Sequence, residues 1–197
     1  MSSKKFPRTK LAITGGIGSG KSYVCRLIEQ AGHPVFYCDD EARRLIVSHP
    51  LIRRELTQLV GPGVYAADGS LLKPVLGAYL CRGREAAARV DAIVHPRVAE
   101  AFRAWAEARA GQRAFMECAL LFESGFDRLV DETILVTAPL ELRLQRVMQR
   151  DGVTRAKALQ WMALQWSDEQ RLARADRVIC NDGVADLAAQ VADLLCG

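Results

Sequence analysis

The sequence predicts an α/β fold in which a five-stranded parallel sheet carries helices on both faces. Short apolar runs alternate with helical stretches, and this alternation is typical of a parallel sheet. The first run ends in a cluster of glycines, which predicts a tight turn between a strand and a helix. We expect ligands to bind at the edge where the carboxyl ends of the strands meet. The predicted strands are Leu11–Thr14, Val35–Cys38, Ala114–Leu121, Thr133–Thr137 and Arg177–Cys180.

The first strand leads into the stretch GGIGSGKS, which precedes a predicted helix over Tyr23–Gln30. The spacing Gly15-x4-Gly20-Lys21-Ser22 is typical of a phosphate-binding loop, where glycines let backbone N–H groups approach a polyphosphate. We expect Lys21 to reach the β- and γ-phosphates of ATP and the Ser22 hydroxyl to bind Mg²⁺. A chance glycine turn is the alternative, and the order strand, loop, helix argues against it. The predicted nucleotide-binding residues of this loop are Gly15, Gly16, Ile17, Gly18, Ser19, Gly20, Lys21 and Ser22.

The second strand is followed by the acidic run Asp39, Asp40, Glu41. A carboxylate at this strand end can accept a proton from an attacking hydroxyl or help to hold Mg²⁺. Asp39 is equally suited to be the N-cap of the helix that follows, and Asp40 to be its solvated start. The spacing leaves both interpretations of Asp39 open.

The third predicted strand contains Glu117 in an otherwise apolar run, with Glu123 just past the strand end. A buried carboxylate without a partner is costly, so Glu117 is expected to face Mg²⁺ or Lys21, unless it is neutral or paired elsewhere. The sequence does not decide between these possibilities.

About seventy residues with helical periodicity separate the second and third strands, which is too long for a simple crossover. We interpret residues 60–112 as a helical insertion that forms either the pocket for a second substrate or packing bulk. Within it, His95 precedes Pro96, which suits the first turn of a helix running to Ala110. His95 either caps that helix or binds an anion.

The segment LELRLQRVMQRD places Arg143, Arg146 and Arg150 on one helical stripe. Like charges at this spacing repel, and an anionic ligand reverses that cost because guanidinium groups bind phosphoryl oxygens. A solvated helix face is the alternative, and the phosphate-binding loop favours the ligand. By contrast, Trp105, Trp161 and Trp166 on amphipathic helices are interpreted as packing residues.

Composition indicates one ordinary globular domain over residues 1–197, with a mass of 21.7 kDa. The net charge of +4 is scattered, so nucleic acid is not an expected partner. Six cysteines without a C-x-x-C pair predict reduced, mostly buried thiols. The leader MSSKKFPRTK has no apolar stretch, and no segment approaches the ~20 apolar residues of a membrane span. These features predict a cytoplasmic protein without a membrane anchor, and they leave its oligomeric state open.

Six stretches appear in an order and spacing that resemble the dephospho-CoA kinase family from about Lys10 onward. They are TGGIGSGKS, CDDEARRL, VHPRV, ALLFES, RVMQRDGVTRAKALQWMALQ and ARADRVICNDG. The resemblance implies a P-loop kinase of three layers that transfers the γ-phosphoryl group of ATP, with Mg²⁺, to the ribose 3′-hydroxyl of dephospho-CoA. This reaction is the last step of coenzyme A synthesis.

The resemblance also implies roles for particular residues. Asp39 is similar to the catalytic carboxylate, and Arg146 and Arg150 to the phosphate-binding arginines of a mobile lid at about residues 140–166. Lys21 and Arg146 are expected to join Asp39 in catalysis. The element around Asp176 and Asn181 resembles the part near the ATP base, with Asn181 binding the nucleotide. The insertion with His95 resembles the subdomain that binds the CoA substrate.

Three positions depart from the family pattern. Tyr37 stands where the family often has an aspartate, and Ala119 where proline is common. Tyr23 replaces the threonine that usually closes the loop, so a hydroxyl is lost while the backbone N–H remains available to nucleotide. These departures leave the residues expected to act in catalysis in place, and bear on rate and affinity.

Other functions share the phosphate-binding loop. A kinase of another small metabolite or of a nucleoside monophosphate would differ in the acceptor pocket alone. A GTPase switch needs Asn-Lys-x-Asp and Asp-x-x-Gly elements, and neither is found. A regulatory module that binds ATP without turnover is disfavoured by Asp39 and the arginines.

Overall fold

A computed structural model describes residues 9–196, and the leader residues 1–8 lie outside the described part together with residue 197. The strands are β1 (Lys10–Thr14), β2 (Val35–Tyr37), β3 (Ala114–Glu117), β4 (Glu132–Thr137) and β5 (Arg177–Cys180). The helices are α1 (Lys21–Gln30), α2 (Cys38–Ser48), α3 (Pro50–Val60), α4 (Lys73–Leu80), α5 (Arg84–Glu107), α6 (Leu140–Asp151), α7 (Arg155–Met162), α8 (Asp168–Leu172) and α9 (Leu187–Cys196).

The strands form one parallel sheet in the order β2-β3-β1-β4-β5, which confirms the predicted α/β fold class. Strand β1 is central, since Leu11 lies opposite Phe115 of β3 and opposite Glu132 of β4. Ile13 and Ile134 are fully buried, as strands covered on both faces require. The sheet therefore presents the carboxyl end of β1 from its middle.

Strand β3 is shorter than predicted, because it ends at Glu117 rather than Leu121. The N–H of Cys118 still donates to the carbonyl of Ile13 at 3.1 Å, and the chain then turns. Leu121 and Phe122 remain buried within this turn. A continuous apolar run in the sequence indicates that its residues are buried, but it does not distinguish a strand from a buried turn.

Contacts divide the chain into two compact units, one with residues 9–36 and 106–196 and the other with Tyr37–Trp105. In the first unit α1 packs against β1, β3 and α9, while α9 packs against β5 and α8 against β4. Helices α6 and α7 pack against each other. This unit contains the glycine loop and the sheet apart from Tyr37, the last residue of β2.

The second unit is helical and is held by an apolar core and by Arg53. The Arg53 guanidinium lies 4.2 Å from the centroid of the Tyr65 ring and donates to the carbonyls of Val47 and Gly69. The Tyr65 hydroxyl in turn donates to the carbonyl of Ile46 at 2.7 Å. Cation, ring and carbonyls thus tie the loop after α3 to the end of α2. The buried apolar residues of this unit include Ile52, Leu56, Val64, Leu76, Tyr79, Val90, Val94 and Val98.

The prediction that Pro96 begins a helix is wrong, because Pro96 lies inside α5. Proline removes one helical hydrogen bond and costs about 3 kcal/mol inside a helix. The helix continues since buried apolar residues recur every fourth position on both sides, among them Val94, Val98 and Phe102. His95 is therefore a residue of the helix interior, and the suggestion that it caps a helix start is also wrong.

Two further expectations concern packing residues and thiols. Trp105 and Trp161 lie on helices, whereas Trp166 lies in the connection between α7 and α8, where it stacks on Phe122 with ring centroids 5.9 Å apart. All six cysteines are free thiols, as predicted, although Cys81 and Cys196 are exposed. Within residues 9–196, no helix is both long and apolar enough to cross a membrane.

Candidate active site

The glycine loop leaves β1 at Thr14 and ends where α1 begins at Lys21. Gly20 has φ 97° and ψ 21°, a left-handed conformation that is costly for residues with a Cβ. At Gly15 a Cβ would lie 2.3 Å from the carbonyl oxygen of Val136, so there is no space for a side chain. Glycine at both positions lets the backbone turn tightly at the carboxyl end of the central strand.

Lys21 and Ser22 occupy the first turn of α1, where the helix presents its positive end. The ammonium of Lys21 donates to the carbonyl of Gly15 at 2.8 Å, so the cation is folded back over the loop. Ser22 is exposed, and so is the ring of Tyr23, which has the Arg26 guanidinium 5.6 Å from its centroid. The loop thus combines a cation, a hydroxyl and a helix N-terminus.

Ile17, in the middle of the loop, is fixed by residues from the chain segment 143–165. Its N–H donates to Oε1 of Gln165 at 2.9 Å, and its carbonyl accepts from Nε of Arg143 at 2.9 Å. Its side chain packs against the buried cluster that contains Leu144 and Val147. Both peptide groups and the side chain of Ile17 are therefore anchored.

Arg146 and Asn181 contact the next carbonyls of the loop. Asn181 follows β5 and donates from Nδ2 to the carbonyl of Ser19 at 2.8 Å. Arg146 donates to the carbonyls of Gly18 and Ser19 at 3.4 Å and to Oδ1 of Asn181 at 3.2 Å. These two side chains, predicted to bind nucleotide, are thus adjacent to the loop.

The three arginines of α6 do not act as one stripe. Arg143 is buried against the loop and Arg146 is half-buried beside it. Arg150 is exposed and pairs with Asp151 through two hydrogen bonds of 2.9 and 2.7 Å. Arg150 lies one turn after Arg146, beyond the part of α6 that contacts the loop. Its guanidinium pairs with the neighbouring Asp151 instead.

A buried ionic network lies behind the loop. Arg171 has 1% exposure and donates to the Trp166 carbonyl at 2.6 Å and to Glu123 at 3.3 Å, and its guanidinium lies 3.6 Å from Asp168. Asp168 also pairs with Arg143. Burial lowers the pKa of Arg171, while the carboxylates of Glu123 and Asp168 oppose that shift. The network connects the turn after β3 with α8 and, through Arg143, with the glycine loop.

Glu117 ends β3 opposite Ile13 of β1, at the edge of the sheet that carries the loop. It is buried and lies close enough to Cys25 to raise the pKa of that thiol, an effect to which burial contributes most and which Lys21 opposes. The carboxylate and the Lys21 ammonium therefore both act on the interior at the base of α1. This arrangement is consistent with the expectation that Glu117 faces the Lys21 side of the crevice.

Asp39 is the second residue of α2, two positions after β2 ends. The N-cap position belongs to Tyr37, and no side chain caps this helix, so the interpretation of Asp39 as an N-cap is wrong. Asp39 is exposed, and within residues 9–196 its carboxylate has no hydrogen-bond or ion-pair partner. Its neighbour Asp40 pairs with Arg43 at 2.7 Å. A role of Asp39 as proton acceptor remains a prediction.

His95 contacts a residue of its own helix, and Asp176 lies at the opposite end of β5 from Asn181. Nε2 of His95 lies 3.5 Å from Oδ1 of Asp91, one turn earlier on α5, and substrate binding by His95 remains a prediction. Asp176 precedes β5 and accepts from the N–H and the hydroxyl of Thr133 at 2.8 Å. It ties the amino ends of two strands together, whereas Asn181 lies at the carboxyl end.

Polyphosphate fits the unpaired polar groups of the loop. The hydroxyls of Thr14 and Ser19 are buried and have no hydrogen-bond partner among residues 9–196. In the described part of the chain, nothing accepts a hydrogen bond from the N–H of Gly18 or Gly20. Buried polar groups without partners are rare, and a ligand with several acceptor oxygens would satisfy donors of this kind.

Mg²⁺ fits this site only in company with a nucleotide. The described residues contain no group of three or more histidine, cysteine, aspartate or glutamate side chains that could hold a metal ion. Mg²⁺ in phosphoryl-transfer enzymes needs few protein ligands, because substrate phosphates and waters supply most of its octahedron. The exposed Ser22 hydroxyl is suited to be such a ligand.

Comparison with known proteins agrees with this geometry. The model of the family described as dephospho-CoA kinase matches residues 9–186. The chain belongs to the dephospho-CoA kinase family. A dephospho-CoA kinase from Bacteroides fragilis is 43% identical over 94% of this chain and 91% of its own length. One from Chlorobaculum tepidum is 40% identical over 92% of this chain and 90% of its own length.

Solved structures have the same fold. TT1252 from Thermus thermophilus is 32% identical, with a TM-score of 0.83 over 96% of both chains. The dephospho-CoA kinase from Campylobacter jejuni has a TM-score of 0.71 at 22% identity, covering 95% of this chain and 96% of its own. A shikimate kinase from Acinetobacter baumannii has a TM-score of 0.55 at 15% identity, covering 96% of this chain and 92% of its own. This similarity concerns the fold alone. The P-loop kinase fold expected from the sequence is confirmed.

Sequence reasoning overlooked two residues that support the glycine loop of this dephospho-CoA kinase family member, one directly and one through Arg143. Gln165 binds the N–H of Ile17, and Asp168 orients Arg143. Both lie more than 140 positions from the loop, and neither belongs to a recognisable local motif. The one available signal is that Gln165 closes the stretch RVMQRDGVTRAKALQWMALQ, which resembles the family.

Proposed function

We propose that this protein transfers the γ-phosphoryl group of ATP to the ribose 3′-hydroxyl of dephospho-CoA, which yields coenzyme A and ADP. The observation that carries the proposal is membership of the dephospho-CoA kinase family over residues 9–186, together with a glycine loop in which the N–H groups of Gly18 and Gly20 have no acceptor among residues 9–196. In the reaction the 3′-oxygen forms a bond to the γ-phosphorus, the bond to the β–γ bridging oxygen breaks, and the hydroxyl proton passes to a base.

The loop would bind the phosphates of ATP through the N–H groups of Gly18 and Gly20 and the first turn of α1. The Lys21 ammonium would leave the Gly15 carbonyl, 2.8 Å away, for the β- and γ-phosphates, where it neutralises charge. Tyr23 would contribute its backbone N–H, which donates to the Gly20 carbonyl at 2.9 Å and would have to exchange that contact for a phosphate oxygen. Little rearrangement of the backbone is needed, because the loop is anchored at Ile17.

Ser22 is the residue proposed to hold Mg²⁺. When bound through the Ser22 hydroxyl, the ion would supply positive charge that stabilises the negative charge developing during phosphoryl transfer. The Ser22 hydroxyl is exposed in the first turn of α1, adjacent in sequence to the phosphate-binding lysine. Glu117, at the end of the neighbouring strand, adds negative potential to the same edge.

Asp39 is the proposed general base, since its exposed carboxylate has no partner to displace in the described part of the chain. Its oxygen would accept the proton of the 3′-hydroxyl as that hydroxyl attacks. We assign the helical insertion, residues 60–112, to binding of the CoA moiety, with His95 as a contact for the acceptor. Resemblance to the family supports both assignments.

Arg146 and Arg150 are proposed to neutralise the transferred phosphoryl group from the lid, residues 140–166. Arg146 is already beside the loop, and its two contacts with loop carbonyls are long at 3.4 Å, so a phosphate oxygen can compete for it. Arg150 would exchange Asp151 for a phosphate oxygen. Asn181 would join them at the nucleotide, and the free cysteines favour a reducing compartment such as the cytoplasm for the reaction.

The test is formation of CoA and ADP from ATP, Mg²⁺ and dephospho-CoA, measured by mass detection with acceptor-free, AMP and shikimate controls. Asp39→Asn should keep the fold and ATP binding and lower kcat by about 10²- to 10⁴-fold. Asparagine has the shape of aspartate, but its amide cannot act as the general base. Asp40→Asn is the matched control and should retain activity, since Asp40 pairs with Arg43 at the surface.

Each alternative function has its own outcome. Turnover with AMP or shikimate instead of dephospho-CoA would keep phosphoryl transfer and overturn the acceptor. ATP binding without turnover of any acceptor would indicate a regulatory module. A folded Asp39→Asn variant with near-normal kcat would remove Asp39 from the reaction.

A further inference from the structure

We propose that Arg143 is a positioning residue for the glycine loop. Its guanidinium holds the carbonyl of Ile17 outward and thereby aims the N–H of Gly18 at the bound phosphates. The inference rests on the proposed function only in that this loop binds a nucleotide. It concerns a residue that does not itself touch the phosphates, and it is distinct from the lid roles of Arg146 and Arg150.

The geometry of the peptide unit links the Ile17 carbonyl to the Gly18 N–H. The described part of the chain contains no cis peptide bond. In a trans peptide the carbonyl of one residue and the N–H of the next point to opposite sides. Because Nε of Arg143 donates to the Ile17 carbonyl at 2.9 Å, the N–H of Gly18 points away from the Arg143 guanidinium. No described group accepts from that N–H, so it is available to a ligand.

A second peptide of the loop has the same arrangement. Nδ2 of Asn181 holds the carbonyl of Ser19 at 2.8 Å, and the N–H of Gly20 on the opposite side again has no acceptor among residues 9–196. The N–H groups of Gly18 and Gly20 are therefore each directed by a side chain that binds the carbonyl of the preceding residue. Arg143 and Asn181 come from different elements, so the coincidence does not follow from one local motif.

Arg143 is too constrained to adopt many other positions. Its side chain has 6% exposure, and Asp168 holds Nη1 while Ile17 holds Nε. On its other side the guanidinium fills the space of a missing side chain, since a Cβ on Gly16 would lie 2.2 Å from Nη2. Because two partners fix the Arg143 guanidinium, it loses little conformational entropy when it orients the Ile17 carbonyl. Lysine, with one compact ammonium, cannot reproduce both contacts.

The inference predicts a specific loss of phosphate affinity. Arg143→Lys retains the positive charge but removes the guanidinium that binds Ile17 and Asp168 together. The Ile17 carbonyl is then released, and the Gly18 N–H is no longer directed at the phosphates. We expect the Kd for ATP to rise about tenfold, the effect of one poorly made hydrogen bond to a charged group. Binding of dephospho-CoA should stay within twofold of the parent protein, because the change is confined to the loop.

The experiment is calorimetric titration of the full chain with ATP in EDTA, and separately with dephospho-CoA. Arg155→Lys is the matched control, since Arg155 also pairs with a carboxylate but lies at the surface, and it should bind ATP as the parent does. Amide NMR adds a direct readout. In the parent protein the Gly18 N–H resonance should shift downfield at saturating ATP, and this shift should be lost in Arg143→Lys.

Gly16→Ala provides a second route to the same contact if Arg143→Lys does not fold. Its methyl group displaces the guanidinium from the other side without removing the charge, and the ATP Kd should again rise. If both changes act through one contact, the double variant should bind ATP no more weakly than the worse single variant. An ATP Kd within twofold of the parent in Arg143→Lys, an equal loss of dephospho-CoA binding, or a retained Gly18 shift would overturn the inference. Failure of the parent to bind dephospho-CoA would count against the proposed function alone, because the ATP comparison does not involve the acceptor.

Discussion

Replacing Arg171 by methionine tests whether the ionic network behind the loop stabilises the fold. Arg171 has 1% exposure and contacts the Trp166 carbonyl, Glu123 and Asp168. Methionine has a similar length, so the cavity is small and the loss is mainly electrostatic. The substitution leaves two carboxylates and one carbonyl without the guanidinium that they surround.

The expected cost is about 3 kcal/mol, since removing one partner of a buried ion pair typically costs 3–5 kcal/mol. The lower end applies because the carboxylates are partly exposed, 19% for Glu123 and 32% for Asp168. Each also retains a partner, the Trp166 N–H for Glu123 and Arg143 for Asp168. For a chain of this size the change corresponds to a fall in Tm of about 9 °C.

The assay is thermal unfolding followed by circular dichroism, with urea unfolding to give the free energy. Arg155→Met is the control, and because its ion pair with Glu141 lies at the surface, Tm should change by no more than about 1 °C. The double change Arg171→Met with Glu123→Gln should be no less stable than Arg171→Met, as a neutral amide costs less to bury. A fall of less than 2 °C, or additive losses in the double variant, would refute the reasoning.

Three further predictions concern separate features. Gly20→Ala should lower the free energy of unfolding by about 1–2 kcal/mol, the cost of a left-handed residue with a Cβ, and should weaken ATP binding in the same titration. Iodoacetamide should modify exposed Cys81 in the native protein and spare Cys25, because burial raises the pKa of that thiol, and peptide mass spectrometry distinguishes the two. The pKa of Asp182 is lowered, mainly because its carboxylate accepts a hydrogen bond from the N–H of Ala185. The ionised carboxylate therefore stabilises the fold at neutral pH, and this stabilisation disappears as the pH falls from about 4 through the lowered pKa. Asp182→Ala should therefore reduce Tm at pH 7, and this reduction should shrink as the pH is lowered below about 4.

The fold could be predicted because its signals are local. Five apolar runs gave the five strands of the sheet, with errors at the ends, as in the run from Ala114, where burial continues after the strand stops. The prediction at Pro96 is wrong for a different reason. Proline favours the first turn of a helix, but apolar residues recur every fourth position on both sides of Pro96, and that longer pattern determines the helix.

The candidate site could be predicted in part. The spacing of glycines identified the loop and Lys21, because the geometry of that motif is contained within eight residues. The partners of the loop could not be predicted in the same way. Gln165 and Arg143 reach it across 148 and 126 positions, and only the folded chain brings them together. The helical stripe predicts Arg143 to be a phosphate ligand, whereas in the structure its guanidinium binds the Ile17 carbonyl and Asp168.

This division has a physical cause. A loop that directs several N–H dipoles toward one point is unfavourable without an anion, because the dipoles repel one another and lose their hydrogen bonds to water. The compensation must come from the opposite side of the same peptides, where the carbonyls are held by donors such as Arg143 and Asn181. The motif therefore specifies the side of the loop that faces the ligand, and residues distant in sequence hold it in that orientation. Substitutions at those distant residues should alter nucleotide affinity while the glycine motif stays intact.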